Sequence, residues 1–132
     1  MPLDGEPRDR FMDLSIPRVR FRQRLVVRRG CEFVAVPAAH AAYFYSDDKL
    51  TFVVARDGQR FLVDAALAEL ESSLDPLDFF RLNRQYLVGA SAIASFRPIG
   101  KGKLLVMLAP QARGEIIVSQ EKATPFRLWL EQ

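Results

Sequence analysis

The chain of 132 residues contains one cysteine and one histidine. Cys31 therefore has no partner within the chain for a disulfide, and with His40 it makes no zinc set. Nor can Cys31 find a second histidine for a Cys–His nucleophile, and His40, set among alanines, reads as structural. Gly100 and Gly102 lack the remaining spacing of a P-loop or dinucleotide fingerprint. These shortages argue against an enzyme, and no cofactor or metal is implied. No apolar run approaches the roughly 18 residues of a membrane span. The first ten residues carry Asp4, Glu6 and Asp9, unlike a signal peptide. A reduced, cytoplasmic setting is the default, with no membrane partner. A composition of 49% hydrophobic and 27% charged residues excludes wholesale disorder, collagen and coiled coil.

A more local shortage concerns acid. Net charge is only +3, but no Asp or Glu lies between Asp78 and Glu115, a stretch that holds Arg81, Arg84, Arg97, Lys101, Lys103 and Arg113. Residues 32–78 carry most of the acids instead. Such local positive potential attracts polyanions through steering and counterion release. The alternative is a solvated face neutralised by carboxylates from the middle segment.

Residues 1–17 hold three of the prolines without steady periodicity and read as a linker or tail; residues 18–132 read as one domain. Alternation of Arg18, Arg20, Arg22 and Arg24 with Val19, Phe21 and Gln23 predicts a strand with one basic face. It continues through Val27, and Glu32 to Val36 returns after a turn at Arg29-Gly30-Cys31. Pro37 ends that strand. Further strands are expected at Ala41 to Ser46, Leu50 to Ala55 and Gln59 to Val63, joined by turns at Asp47-Asp48-Lys49 and Asp57-Gly58. Asp64 is a candidate N-cap for a helix whose Leu67, Leu70 and Leu74 form one apolar stripe, stopped by Asp75-Pro76. Short strands resume at Phe79 to Leu82, Tyr86 to Val88, Ile93 to Arg97, Leu104 to Leu108 and Glu115 to Val118, with a flexible basic turn at residues 100–103. Thr124 can cap a short final helix with Pro125 at its first position. The pattern is a mainly β, antiparallel domain.

The segment FFRLNRQYLVG, residues 79–89, concentrates guanidinium and amide groups among apolar anchors. Arg can grip guanine and Asn or Gln adenine in bidentate fashion, so Arg81, Asn83, Arg84 and Gln85 are candidate base contacts. Equally, Arg81 can pair with Asp78 or the helix acids while Asn83 shapes a turn. The first helix carries Glu69, Glu71 and Asp75, which phosphate repels, so loops rather than a recognition helix must enter any groove.

From about Leu25 to Leu130 the chain resembles the LytTR-type DNA-binding domain, the effector module of many bacterial response regulators. The resemblance rests on YFYSDDKLTFVV, then LVDAALAELESSLDP, then FFRLNRQYLVGASAI against the signature "F.R.hRs.lVn...I", and IIVSQEKA at the end. Four positions depart from the pattern: Asn83 replaces His, Gln85 replaces Ser, Gly89 replaces Asn, and Gln120 replaces Arg. The resemblance implies an elongated, mostly β fold with one short central and one short C-terminal helix. It also implies sequence-specific binding of double-stranded DNA by loops laid into successive major grooves. Paired direct repeats, two subunits on DNA and a receiver domain N-terminal to residue 1 belong to the same expectation. By that analogy Lys49, Arg84 and the turn at Gln120 to Lys122 read bases, with Arg81 serving structure as much as contact. Lys101 and Lys103 join as phosphate contacts on charge alone. The rival expectation is a β-rich protein–protein interaction module that pairs through the strand 18–24.

Overall fold

A computed structural model describes residues 20–132. The linker expected at residues 1–17 and the first positions of the arginine alternation, Arg18 and Val19, lie outside the described residues. Ten strands follow: β1 (Arg24–Arg29), β2 (Glu32–Pro37), β3 (Ala41–Asp47), β4 (Leu50–Ala55), β5 (Arg60–Val63), β6 (Phe79–Arg81), β7 (Tyr86–Gly89), β8 (Ile93–Gly100), β9 (Lys103–Leu108) and β10 (Ile116–Val118). Helix α1 (Leu67–Ser73) separates β5 from β6, and α2 (Gln120–Leu130) closes the chain.

The strands form a seven-stranded sheet in the order β2-β1-β5-β4-β3-β7-β6 and a three-stranded sheet in the order β10-β9-β8. Every pairing is antiparallel. The mainly β architecture with two helices is thus the expected one. Period-2 alternation gives the large sheet two different faces. One face supplies Leu25, Val27, Phe44, Val53, Val63 and Leu87, which pack with Leu67, Leu70 and Leu74 of α1. The other supplies Tyr43, Val54 and Val88, which pack with the small sheet and with Phe126 and Trp129 of α2. The large sheet is therefore the middle layer of three.

Three details differ from the sequence-based expectation. Arg20–Gln23 are not in a strand, and β1 starts only at Arg24. Arg22 instead docks on the end of α1: its backbone N–H donates to the Ser73 carbonyl at 2.7 Å and its Nε to Ser73 Oγ at 2.9 Å. Asp64 does not cap α1; the N-cap is Ala66, with no side-chain bond. A cap contributes about 1 kcal/mol, whereas burying each leucine of the stripe contributes about 1.5–3 kcal/mol, so the stripe sets where the helix starts. Likewise α2 begins at Gln120 rather than at Thr124, with extended Ser119 as N-cap and Pro125 inside the helix. Phe80 stacks on Trp129 with centroids 5.1 Å apart and tilts against Phe126 at 6.0 Å. This aromatic packing holds a helix that the proline alone would shorten.

Candidate nucleic-acid interface

Two hairpin turns of the same geometry bracket the candidate site. In the β3–β4 turn, Asp47 pairs with Leu50, and the two residues between them, Asp48 and Lys49, have φ of 51° and 67°. In the β8–β9 turn, Gly100 pairs with Lys103, and Lys101 and Gly102 have φ of 54° and 76°. Two positive φ values in a two-residue loop are the type I′ pattern, which matches the twist of the flanking strands. Such tight turns leave no slack, so each lysine is presented at a fixed strand end. Lys49, Lys101 and Lys103 are all exposed.

Between these turns lies the β6–β7 connection, which is held almost entirely by side-chain bonds. Asn83 Oδ1 accepts from the backbone N–H of Gln85 at 2.8 Å and of Tyr86 at 3.0 Å. Its Nδ2 donates to the Ile117 carbonyl at 3.2 Å, tying the turn to β10. Arg81 donates from Nε to the Asn83 carbonyl at 2.8 Å and from Nη2 to the Arg84 carbonyl at 2.9 Å. Its Nη1 meets Glu71 Oε1 of α1 at 2.9 Å. Of the two readings of this segment, Arg81 and Asn83 take the intramolecular one: the arginine pairs with a helix acid, and the asparagine builds the turn. Lys122 behaves alike, with Nζ donating to the Arg81 carbonyl at 2.8 Å and lying 5.8 Å from the Phe80 ring centroid.

Arg84 is different. Its carbonyl is clamped, yet its side chain is exposed and has no hydrogen bond or ion pair among the described residues. Gln85 is also exposed, and its carbonyl accepts from the Ser46 N–H at 2.9 Å. That bond places the Arg84 turn beside the end of β3 that leads into Lys49. On the other side, a groove of about 560 Å³ is lined by Glu71, Arg81, Asn83, Arg84, Lys103 and Lys122, with Ile117 and Ser119. Gln120 reaches the same place from α2: a Cβ on Gly102 would lie 2.6 Å from Gln120 Cγ. The expected turn at Gln120 to Lys122 is instead the first turn of α2.

The sequence-predicted residues are thus linked in part: Lys49 lines a separate pocket with Arg28 and Glu69. Arg81, Asn83, Arg84, Lys103 and Lys122 share one groove, Gln120 touches the Gly102 turn that carries Lys101, and Gln85 links to the Lys49 hairpin. The expected alternative in which Arg81 pairs with a helix acid is the observed one, and the acid is Glu71; Arg22 approaches Glu69 at 3.7 Å, so two of the helix carboxylates face cations. Among the described residues, no group of three or more His, Cys, Asp or Glu could hold a metal ion, and no helix is long and apolar enough to cross a membrane.

Comparison with known families identifies the domain. Residues 32–131 match the LytTr DNA-binding domain. The chain belongs to that family. A solved LytTr DNA-binding domain, from a protein of Bacillus cereus described as a methyl-accepting/DNA response regulator, superposes with a TM-score of 0.70. It is 23% identical and covers 84% of this chain and 99% of its own, so it shows a shared fold. The CO-responsive transcriptional regulator RcoM of Rhodospirillum rubrum is 36% identical over an alignment of 87 positions that covers 61% of this chain. The match spans 36% of that relative, so this LytTr chain corresponds to about a third of its length.

Proposed function

We propose that this LytTr domain binds double-stranded DNA sequence-specifically as the output module of a transcription regulator, with its turns entering successive major grooves. The observation that carries the reading is the contrast within one turn. The Arg84 backbone is fixed by Arg81 and by the bonds of Asn83, while its guanidinium is left free among the described residues. A preorganised donor fork is what bidentate recognition of a guanine edge requires. Lys49 and Gln120 flank it as further base contacts, Gln85 is a polar neighbour, and Lys101 and Lys103 sit where phosphates of the same duplex pass. Arg81, Asn83 and Lys122 position this set rather than read bases.

The regulatory setting follows the family resemblance. In this reading a receiver domain precedes the chain in the full-length protein, and phosphorylation of that domain promotes pairing of two subunits. The bound site is then two direct repeats about one helical turn apart, one per subunit. The relative from Rhodospirillum rubrum is a transcriptional regulator by name, which supports regulation as the outcome. A soluble cytoplasmic location is consistent with this role.

Selection of bound duplexes from random DNA, followed by affinity measurement across salt concentrations, tests the proposal. A recurring repeat motif and affinity that falls steeply with salt are expected. Recovery of no motif, together with salt-independent binding to another protein, would favour the interaction-module reading.

A further inference from the structure

A second concave site lies on the face of the large sheet opposite α1, and DNA contact leaves it unexplained. Cross-strand pairing sets Tyr86, Tyr45 and Phe52 side by side on β7, β3 and β4. Tyr45 stacks on Phe52 with ring centroids 5.2 Å apart and on Tyr86 at 5.8 Å. The next row on the same face places Tyr43 between Val88 and Val54, with Arg60 beyond. The connection from β9 to β10 completes a cleft of about 250 Å³ over this aromatic floor, adding Pro110, Gln111, Ala112 and Arg113.

The charged groups here are of one sign. Arg60 and Arg113 both line the cleft, and among the described residues no carboxylate does. Burial, followed by Tyr45, raises the Tyr86 hydroxyl; Arg113 opposes this and Asp47, at the end of β3, adds to it. Arg60 uses Nη1 to donate to Tyr45 Oη at 2.9 Å and lies 5.2 Å from the Phe52 ring centroid, so its remaining donors are available. Tyr43 is 2% exposed, and its hydroxyl has no hydrogen-bond partner among the described residues. Tyr43 also lines the cleft that a ligand could enter.

We propose that this cleft binds a small aromatic carboxylate. With the faces of Tyr45 covered by Phe52 and Tyr86, the tyrosine floor offers ring edges, which favour a planar ring through edge-to-face contact, and the two guanidinium groups select a negative oxygen pair. The volume is below the roughly 300–1,000 Å³ of clefts for drug-sized ligands, which limits the occupant to about a single ring. Binding itself is independent of what the turns contact. Any bearing on DNA rests on the proposed function, since β3 and β7, which line the cleft, also carry the turns of Lys49 and Arg84.

The test uses the protein without DNA, so its result is separate from that of the DNA reading. Benzoate, benzamide, acetate and inorganic phosphate are titrated in turn, followed by calorimetry and by amide NMR shifts. Saturable benzoate binding is expected, with shifts at Tyr43, Tyr45, Tyr86 and residues 111–113, about tenfold tighter than benzamide or acetate. Arg113→Gln and Arg60→Gln should each weaken it about tenfold, while Arg127→Gln on exposed α2 leaves it unchanged. Benzamide or inorganic phosphate binding as tightly as benzoate, or Arg113→Gln binding as tightly as the parent, overturns the proposal. An absence of saturable shifts at these residues overturns it as well.

Discussion

Arg81 holds Arg84 by its backbone: Nη2 of the first donates to the carbonyl of the second at 2.9 Å, while the side chain of the second points to solvent. Two arginines in one turn thus have opposite duties, and their alanine variants should separate cleanly. Arg84→Ala should leave folding stability unchanged, weaken DNA binding by about 1–3 kcal/mol and relax preference at one base position. Arg81→Ala removes two carbonyl bonds and the Glu71 pair of a half-buried group. It should lower stability by about 1–3 kcal/mol and weaken binding to all duplexes alike. Urea unfolding and affinities for a panel of single-base operator variants measure both. Equal loss on every duplex for Arg84→Ala would reduce that residue to a phosphate contact.

Gly102 offers a test of whether the β8–β9 turn positions Gln120. An added Cβ there meets Gln120 Cγ at 2.6 Å and must also accept a φ of +76°. At Gly100 the φ is +98°, but nothing lies within 4 Å of an added Cβ. Both alanine variants should therefore lose about 1 kcal/mol of stability through backbone strain. The expected difference is that only Gly102→Ala, which displaces Gln120, also changes base preference on DNA. If both variants bind identically, Gln120 takes no part in reading the site.

How much of this was legible in the sequence depended on which force decided each feature. Turn chemistry is local, so Asp47-Asp48-Lys49, Asp57-Gly58 and the glycine-flanked Lys101 could be placed without knowing the fold. The leucine stripe of α1 is periodic and gave the helix, but its start moved from Asp64 because packing outweighs a cap. The start of α2 was misplaced for a related reason. Ser119 is a fair N-cap residue, but Pro125 by itself marks a first helical position, and the stacking of Phe80 on Trp129 that holds the longer helix comes from outside the segment. Similarly β8 runs past Arg97 through Pro98, which an edge strand tolerates because one side of its backbone needs no partner. The candidate contacts were legible by type and by family resemblance. Their division into Arg84, which is free among the described residues, and Arg81, Asn83 and Lys122, which are engaged, was not. It depends on Glu71, Ile117 and Phe80, which lie elsewhere in the chain and reach the turn only through folding.

Lys103 is exposed at the rim of the groove that Arg84 lines, follows the Lys101-Gly102 turn, and makes no ion pair among the described residues. A phosphate contact at this position carries no sequence information and is felt only through counterion release. Lys103→Ala should therefore weaken all duplexes uniformly and reduce the slope of log affinity against log salt by about 0.9. Binding measured between dilute and physiological salt gives the slope directly. An unchanged slope removes Lys103 from the interface.

Tyr43 governs a different axis, alkaline stability. Burial, with smaller contributions from Tyr86 and Tyr45, pushes its hydroxyl from 10.0 up to about 12. Between those two pH values the folded chain keeps a proton that the unfolded chain has released. Raising the pH through that window therefore favours unfolding, and the stability present in full below pH 10 declines until about pH 12. A shift of this size corresponds to a loss of about 2–3 kcal/mol. Tyr43→Phe keeps the buried ring but has no proton to lose. The variant should be about as stable as the parent at pH 7 and should fall less steeply than the parent as pH rises above 10. Tyr86, raised in the same direction, retains part of the decline in both proteins. Urea midpoints taken from pH 8 to 12 distinguish the two curves, and superimposable alkaline limbs would show that Tyr43 ionises as freely in the folded chain as in the unfolded one.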